Sequence, residues 1–390
     1  MNVLLLGYTS SIFQDTPTAG DTRTRMTDYA RRLDELEPGS KLTLVCYTPD
    51  RISGIRKSGE NLWFVPAYAP NPHLFFLSGW SQATRLPKHL WPDVVSSQSP
   101  FEDAVLGLLL SKRFKAKFEV QTHFGIMSPF WIKEHAIINR LRIRLAQFCY
   151  QQADKVRVPS SRLKREIVRQ LRIEANKIRV VIIPSSFGNN RTNKAQSSVQ
   201  QYHFPDDYQQ YVLYVGSLYW PKNIPFLLDI MTKVAVRRPN VGFVVAGDGP
   251  HRELLQRGVK RRNLQDQIYL LGKVPHQHIG DLFLQANALI LPSYYEGLAR
   301  VQLEAYAAGI PCVSTLVSGT DDVILDGETG FIVEVNDLSA FVDRLIWLLD
   351  HPDEAEEMGL KGRHYVLTKY AYGRVVDELV QGWVDLASQE

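Results

Sequence analysis

The chain is poor in cysteine: its 390 residues include only three, Cys46, Cys149 and Cys312. Their odd number and their spacing suit neither a disulfide framework nor a metal site, so we predict reduced thiols in a core, as in cytosolic proteins. No stretch approaches the roughly 20 apolar residues that a membrane-spanning helix requires. The opening Met-Asn-Val-Leu-Leu-Leu-Gly lacks a basic segment and a cleavage site, so we interpret it as a first β-strand rather than a signal peptide. We therefore expect a cytoplasmic protein.

Several signatures of catalysis and cofactor binding are also missing. The chain has no Walker loop, no zinc-ligand spacing, no complete Gly-x-Gly-x-x-Gly fingerprint and no pattern typical of a Ser-His-Asp triad. His276 and His278 are separated by one residue, but no further ligand lies nearby in the sequence, so we assign them to the surface where a helix begins. We therefore predict neither a metal site nor a resident cofactor.

What the chain does have is an alternation of short apolar strands and amphipathic helices that occurs twice. A length of 390 residues suggests two domains, and the alternation indicates parallel sheets covered on both faces. A polar stretch at 188–210 interrupts it and has the composition of a linker. We predict an α/β fold with one Rossmann-like domain at 1–190 and a second at 207–370.

The individual elements follow from hydrophobic periodicity. In the first half we predict strands at 2–6, 42–47, 62–66, 94–96, 118–121 and 180–183, and helices at 24–36, 101–112, 131–150 and 160–171. In the second half we predict strands at 211–215, 241–246, 268–271, 288–291, 312–315 and 331–333, and a helix at 301–308.

The stretch 292–311 carries the clearest chemical signal. It contains two carboxylates, Glu296 and Glu304, at a spacing of eight residues, and Gly297 follows the first directly. Because a strand is predicted before Glu296 and a helix around Glu304, the first carboxylate falls in a turn and the second about two helical turns deeper. Backbone N–H groups of residues 297–300 would point out of the helix N-terminus, where they suit a phosphate group.

This pattern resembles the Glu-x7-Glu motif of retaining glycosyltransferases, family 4 in particular. Further segments occur in the family's order, at 214–223, 244–250, 271–275 and 312–333. The resemblance implies the GT-B fold, in which two doubly wound Rossmann-like domains face each other across a cleft. It also implies that a C-terminal helix, here 371–390, crosses back to the N-terminal domain, which binds the acceptor, while the second domain binds the donor.

The resemblance assigns roles to the two carboxylates. Glu296 would hold hydroxyls of the donor sugar, and Glu304 would hold the ribose of the nucleotide. Two simpler interpretations remain open: Glu296 could offset the helix dipole, and Glu304 could be a solvated helix carboxylate. The residues expected to bind the donor are Gly216, Ser217, Lys222, Gly272, Val274, Glu296, Gly297, Leu298, Ala299, Arg300 and Glu304.

The phosphate-binding residues depart from the family's pattern. Lys222 matches the lysine that would balance charge on the leaving diphosphate. Relatives usually pair it with an arginine just after the glycine or just before the lysine, where this chain has Ser217 and Pro221. Arg300 either replaces the missing arginine or is a surface residue.

In the first half the resemblance points to two short stretches. Gly20 and Asp21, in the loop expected after the first strand, would approach the acceptor, with Asp21 in place of the family's second glycine. His123 resembles a sugar-contacting histidine, although a histidine satisfied by its neighbours at a strand end is the alternative. We expect Gly20, Asp21, Arg23 and His123 to bind the acceptor, and Glu296, Lys222 and His123 to be the catalytic residues.

The implied reaction is the retaining transfer of a hexosyl-type sugar from a UDP- or GDP-linked donor to a glycan or lipid-linked acceptor, in cell-envelope polysaccharide or glycolipid synthesis. The chain lacks Asp-x-Asp, the usual handle for metal-dependent nucleotide-sugar binding, so metal independence is expected. The alternatives are a sugar-nucleotide epimerase or phosphorylase of the same fold and, given Ser217 and Pro221, a nucleotide-sugar-binding scaffold without turnover.

One segment is strongly basic. Residues 131–180 contain 13 lysines and arginines against four acidic residues, whereas the whole chain has a net charge of only +4. Such a segment either contacts anionic lipid, at roughly 1 kcal/mol per basic residue, or is a solvated helix face. We predict peripheral contact with the cytoplasmic membrane face and no nucleic-acid partner. Apolar residues at helical spacing alternate there with arginines: Ile137, Arg140, Leu141, Arg142, Arg144, Leu145 and Phe148.

Overall fold

The structure, a computed structural model, describes residues 1–8, 10–13, 17–184, 202 and 204–389, with backbone alone for 10, 11, 17–21 and 73. The chain divides into two compact units. The first comprises Met1–Met127, Ile132–Pro184 and Gly373–Glu390, and the second comprises Ser128–Trp131 and Ser185–Tyr372. Each contains one sheet, so the predicted pair of α/β sheets is confirmed. The predicted linker, 188–210, lies mostly outside the described residues.

In the N-terminal half the elements are, in chain order, β1 Asn2–Gly7, α1 Pro17–Leu36, β2 Lys41–Thr48, β3 Arg56–Ser58, β4 Leu62–Tyr68, α2 Phe75–Thr84, β5 Val94–Ser97, α3 Glu102–Phe114, β6 Lys117–Gln121, α4 Pro129–Glu134, α5 Ala136–Gln152, β7 Lys155–Val158, α6 Ser161–Leu171 and β8 Ile178–Val180. The sheet has the order β3-β4-β2-β1-β5-β6-β7-β8, and its pairs are parallel except β3 with β4.

After residue 204 the elements are β9 Gln210–Val215, α7 Ile224–Arg237, β10 Val241–Ala246, α8 Arg252–Arg261, β11 Ile268–Gly272, α9 Ile279–Phe283, β12 Ala288–Leu291, α10 Arg300–Ala307, β13 Cys312–Thr315, α11 Thr320–Val323, β14 Gly330–Val333, α12 Leu338–Asp350, α13 Pro352–Lys369 and α14 Tyr372–Ala387. The second sheet is parallel throughout, in the order β11-β10-β9-β12-β13-β14.

The central strands of both sheets are buried on both faces. In β1, Val3 to Gly7 are all buried, and every residue of β10 and β12 is buried. Their sequences are apolar throughout because the side chains on both faces of such a sheet are covered by helices. Strand order reverses between β1 and β5 in the first sheet and between β9 and β12 in the second. Ligands of α/β sheets bind outside the carboxyl ends of the strands at such a reversal.

Some elements differ from those predicted. Helix α1 begins at Pro17 rather than residue 24, since proline, which has no N–H, suits the first turn of a helix. The predicted helix 131–150 is two helices, because the backbone of His135 between them is not helical. Strand β7 was not predicted, because Lys155 and Arg157 interrupt its apolar pattern. The last strand of this half ends at Val180 instead of beginning there.

Helix α14 is attached to the first sheet through a buried carboxylate. Glu119, on β6, is fully buried, and its Oε2 accepts hydrogen bonds from Ser96 Oγ at 2.8 Å and from Trp383 Nε1 of α14 at 2.9 Å. Its Oε1 accepts one from Arg179 Nε at 2.9 Å. Burial acts to raise the pKa of the Glu119 carboxyl, but Arg179 and Arg157 outweigh it and the pKa lies below its ordinary value. The contact between α14 and the sheet therefore depends on an ionised carboxylate.

Arg179 also bonds directly to α14. Its Nη1 donates to the carbonyl oxygen of Leu379 at 3.2 Å. The guanidinium passes over Gly382, where a Cβ atom would lie 1.3 Å from Nη1. Glycine at this position therefore lets the Arg179 guanidinium pack directly against the backbone of α14.

Candidate active site

Two loops meet where the strand order of the second sheet reverses. The loop after β9 holds Lys222 at the end of a short 3-10 turn, Trp220–Lys222, and the loop after β12 holds Glu296. The backbone joins them, since Tyr294 N donates to the carbonyl oxygen of Pro221 at 2.8 Å. The predicted phosphate lysine and the first predicted carboxylate thus lie together in the crevice where such sheets bind ligands.

Lys222 and Glu296 form an ion pair, called here the Lys222–Glu296 pair. Lys222 Nζ contacts Glu296 Oε1, which also accepts a hydrogen bond from Ser293 Oγ at 2.8 Å. The lysine and glutamate side chains are 14% and 15% exposed, so both are held by the loops yet reach the surface. Helix α10 begins four residues after Glu296, at Arg300. The carboxylate therefore neutralises a lysine, and offsetting the helix dipole does not account for its position.

The second carboxylate, Glu304, is buried on α10 at 5% exposure, which rules out a solvated helix carboxylate. Its Oε1 lies 3.3 Å from His276 Nε2 and 4.0 Å from Arg300 Nη2. Arg300, the first residue of α10, thus lies one helical turn before Glu304, with its guanidinium near that carboxylate. A buried carboxylate flanked by an imidazole and a guanidinium is held in one orientation.

Residues 297–299 form a loop that precedes α10. The amides of 297–299, which were predicted to point out of the helix N-terminus, therefore belong to this loop, because the helix begins at Arg300 with Ala299 before it. The loop packs backbone to backbone against Gly319, whose φ is +84°. A Cβ atom on Gly319 would lie 2.5 Å from the carbonyl oxygen of Gly297 and 3.1 Å from the Cα atom of Leu298. The close packing of the 297–299 loop therefore requires glycine at position 319, in the turn before α11.

The remaining predicted donor residues lie along the same edge of the sheet. Gly216 follows β9, and the exposed Ser217 comes next. Gly272 ends β11, its carbonyl oxygen accepts a hydrogen bond from Gly247 N at 2.8 Å, and Val274 is half-buried just beyond it. The whole predicted donor set thus lies within one unit, in the segments that follow β9, β11 and β12 and on helix α10.

His123 follows β6 in the first unit and lines a cavity of about 310 Å³. Its Nδ1 lies 3.5 Å from Arg157 Nη2. Burial, together with the charges of Arg157 and Arg25, lowers the pKa of His123 to about 3. The imidazole is therefore neutral at physiological pH and can both donate and accept a hydrogen bond.

The prediction that Gly20 and Asp21 lie in a loop is wrong. Both residues lie within helix α1, so Gly20 does not open a loop, and their side chains are not described. Arg23, also on α1, donates from Nε to the carbonyl oxygen of Ile12 at 2.8 Å. Its side chain ties the helix to the 3-10 turn Ser10–Phe13, a structural contact that the sequence did not suggest.

Several residues of these sites were not identified from the sequence. His276 lies at the surface where a helical segment begins, as predicted, with its side chain 40% exposed, but its contact with Glu304 was not predicted. Ser293, which contacts Glu296, gave no signal beyond its place in the motif. Arg157 could have been found, because an arginine between Val156 and Val158 is unusual in a short buried strand.

A further cavity of about 730 Å³ lies away from these residues. Gln210, Asn287 and Pro311, which line it, stand at the amino ends of β9, β12 and β13. It therefore opens at the edge of the sheet opposite to the Lys222–Glu296 pair, and it includes none of the predicted donor residues. Within the described ranges, no group of three or more His, Cys, Asp or Glu side chains is arranged to hold a metal ion.

Two protein-family models match the chain. The model described as "Glycosyltransferase Family 4" matches residues 23–181, and that described as "Glycosyl transferases group 1" matches residues 196–365. The chain is 30% identical over 159 residues to 2-deoxystreptamine N-acetyl-D-glucosaminyltransferase of Niallia circulans, an alignment that covers 41% of each protein. It is 27% identical over 245 residues to the capsular polysaccharide biosynthesis glycosyltransferase CapM of Staphylococcus aureus, covering 60% of this chain and 62% of CapM. The chain thus spans about two fifths to three fifths of these relatives.

Solved structures resemble the chain along nearly its whole length. Sucrose-phosphate synthase from Thermosynechococcus elongatus superposes with a TM-score of 0.80 at 17% identity and covers 99% of each chain. Anabaena HepE in complex with UDP superposes with a TM-score of 0.75 at 14% identity, covering 99% of this chain and 100% of HepE. At these identities the likeness establishes a shared fold.

Proposed function

Since this chain belongs to the GT-B glycosyltransferases of family 4, we propose that it transfers a hexosyl-type sugar, with retention, from a UDP- or GDP-linked donor to a hydroxyl of a glycan or lipid-linked acceptor. The observation that carries the proposal is the Lys222–Glu296 pair at the reversal of the second sheet, with buried Glu304 on the next helix. CapM is named for capsular polysaccharide synthesis and HepE was solved with UDP. We extend both to this chain, as a role in cell-envelope polysaccharide or glycolipid synthesis.

In the proposed mechanism the Lys222–Glu296 pair opens when the donor binds. The diphosphate takes the place of Glu296 beside the Lys222 ammonium, which stabilises the negative charge that develops on the leaving group. The freed Glu296 carboxylate then accepts hydrogen bonds from the sugar hydroxyls. The pair thus keeps both groups oriented before the donor arrives.

Transfer then occurs on one face of the sugar. The bond between the anomeric carbon and the diphosphate oxygen breaks, and the acceptor oxygen forms its bond from the same side. The acceptor proton passes to the departing diphosphate oxygen, so no protein base is needed. Lys222 and the backbone amides around the start of α10 stabilise the negative charge on the leaving diphosphate. Because the lysine supplies this positive charge, we propose that the reaction needs no metal ion.

Donor turnover separates this proposal from its alternatives. Incubation with UDP- and GDP-sugars should release nucleoside diphosphate slowly without acceptor and faster with a glycan acceptor. A sugar-nucleotide epimerase would return an isomerised donor, and a phosphorylase would require phosphate. Ser217 and Pro221, in place of the family's phosphate arginine, favour the scaffold as the second candidate. Donor binding with no hydrolysis or transfer would establish the scaffold and overturn the transferase.

The two carboxylates are expected to respond differently to the same substitution. Glu296→Gln should lower turnover strongly while UDP binds as before, because its contacts are to the sugar. Glu304→Gln should weaken UDP binding itself, because a ribose contact is lost in every ligand state. Calorimetric titration with UDP and steady-state kinetics measure the two effects. Equal UDP affinity and full activity in both variants would contradict the assigned roles.

We further propose that α5 contacts an anionic membrane surface. Ile137, Leu141 and Phe148 are 77%, 59% and 48% exposed and lie on one face of the helix, and Arg140 and Arg144 are exposed beside them. Arg142, which was predicted to belong to the same basic face, instead packs against the first unit, since its Nη2 donates to Glu102 Oε1 of α3 at 3.0 Å. No described helix has the length and apolar character needed to cross a bilayer.

Liposome binding tests this surface. The Arg140→Ser/Arg144→Ser variant should bind anionic liposomes about 30-fold more weakly than the native protein, given roughly 1 kcal/mol per basic residue, and the native affinity should fall with salt. Co-sedimentation measures the affinity. The matched control is Arg257→Ser/Arg261→Ser on α8, two exposed arginines with the same total charge. Equal loss in the control, or no sedimentation of native protein at low salt, would contradict the proposal.

A further inference from the structure

The cavity of about 310 Å³ in the first unit lies at the carboxyl ends of its central strands. It is bounded by residues of β1, β6 and β7, by Gln98 just after β5, and by side chains of α1 and α14. Because β1 and β5 flank the reversal of strand order, this is the ligand position of the first sheet, as the Lys222–Glu296 pair is of the second. Its volume, at the lower end for small-molecule sites, suits a group the size of a monosaccharide or smaller.

Arg157 is the unusual member of this cavity. The residue is 97% buried, at 3% exposure. Within the described part of the chain, neither its Nε nor its Nη1 has a hydrogen-bond acceptor, and Nη2 has only the 3.5 Å contact to His123 Nδ1. Burial is the main cause that lowers the pKa of Arg157, to about 10. A buried cation whose Nε and Nη1 have no hydrogen-bond partner is costly and is rarely retained without compensation.

Neighbouring groups supply only part of that compensation. Tyr29 of α1, which also lines the cavity, makes the largest favourable contribution to the pKa of Arg157. Glu119 contributes a favourable charge to Arg157, but its oxygens already accept hydrogen bonds from Ser96, Arg179 and Trp383. Arg25, which also lines the cavity, adds a second positive charge, and His123 is neutral. The cavity is therefore electropositive and contains donors without matching acceptors.

We propose that this cavity binds a compact oxyanion, a carboxylate or a phosphate group carried by the acceptor substrate, with the Arg157 guanidinium as its principal donor. This rests on the proposed function, which assigns the acceptor to the first unit through His123. The fork of an arginine can hold two oxygens of either group. The anion supplies the negative charge that the buried guanidinium lacks, and the acceptor is therefore an acidic or phosphorylated sugar or polyol.

Direct binding of anions to the full chain tests the proposal. Inorganic phosphate, malonate, glucose 6-phosphate and glucose are titrated by calorimetry, and thermal unfolding is followed at the same concentrations. Phosphate or malonate should bind saturably, and the one that binds shows whether the cavity takes a phosphate or a carboxylate. Glucose 6-phosphate should bind, whereas glucose should not. Arg157→Met should weaken anion binding roughly ten- to a hundredfold, whereas Arg169→Met, an exposed arginine on α6, should bind as the native protein does.

Stability without ligand gives a readout that a structural arginine would not produce. If Arg157 serves a ligand, Arg157→Met should unfold at the same temperature as the native protein or higher in anion-free buffer, because removing a desolvated charge outweighs the loss of its attraction to Glu119, which keeps its ion pair with Arg179. Should that variant not fold, Arg157→Lys, which keeps the charge but not the fork, should still lose most of the affinity. Anion responses that are equal in native and Arg157 variants, or absent from native protein, overturn the proposal.

UDP titration keeps this result separate from the proposed function. UDP should bind the native protein and Arg157→Met equally, because the donor residues lie in the second unit. Failure of UDP and every nucleotide-sugar to bind would remove the proposed function and leave the anion result standing. Transfer activity in a protein whose first unit binds no anion would remove this inference alone.

Discussion

Replacing Lys222 by methionine is expected to lower kcat by roughly 10²–10³-fold, the usual loss when one preorganised donor to a developing charge is removed. The lysine is the cation beside Glu296 at the reversal of the second sheet, and neither Ser217 nor Pro221 offers a charge to replace it. Its methylene stem has a near equal in methionine, so the loops should keep their packing. Initial rates of nucleoside diphosphate release, measured with saturating donor and acceptor, give the effect.

Lys233→Met provides the matched control for this prediction. Lys233 is exposed on α7 in the same unit, so the substitution changes charge and hydrophobicity equally without touching the crevice. It should retain the native kcat. If Lys222→Met instead keeps more than about a third of the native rate, then the charge on the leaving group is stabilised by other residues and the assigned role is wrong.

Glu119→Gln is expected to destabilise the first unit by about 3 kcal/mol or more, the range found when one member of a buried ion pair is removed. The amide would leave the Arg179 guanidinium, 18% exposed, without its counter-charge and would weaken the bond to Trp383 of α14. Urea denaturation measures the change. Hydrogen exchange should localise it to 117–121 and 373–387, with the second unit's Val241–Ala246 as an internal reference.

The effect of Glu119 should depend on pH. Because its folded-state pKa is below the ordinary value, the carboxylate adds stability above the unfolded pKa and loses it as the pH falls through the folded pKa. The variant should therefore lose less stability than the native protein on acidification. Glu253→Gln is the control, since Glu253 pairs with Arg257 on the surface at 75% and 73% exposure and should have little effect. Equal destabilisation by both substitutions would show that the buried pair has no special weight.

Much of the architecture was predictable from hydrophobic runs. Val241–Ala246, Ala288–Leu291 and Cys312–Thr315 have the predicted bounds, because strands buried on both faces are apolar throughout. The failures share a physical cause. All three residues of the edge strand Arg56–Ser58 are exposed, so the strand needs no apolar residue. In Lys155–Val158 the apolar pattern is interrupted by Arg157, which lines a cavity.

The candidate site was predictable to a different extent in each half. Around Glu296 and Glu304 the spacing alone placed both carboxylates near the end of one strand. It could not reveal the ion pair with Lys222, which is 74 positions away in the sequence, nor the contact of His276 with Glu304. In the first half, a helix beginning at Pro17 displaced the expected glycine loop, and Arg157 was missed although its place between two valines is unusual.

The bond between Glu119 and Trp383 spans 264 positions of the chain, with the second unit between them. At a synthesis rate of roughly 5–20 residues per second, β6 leaves the ribosome ten to fifty seconds before α14 does. During that interval the face of the sheet that will receive Val380 and Trp383, both buried in the finished protein, has no cover. The unit whose synthesis starts first is thus the last to be completed, and a nascent chain stopped near residue 372 would present a finished second unit beside an open, aggregation-prone first sheet.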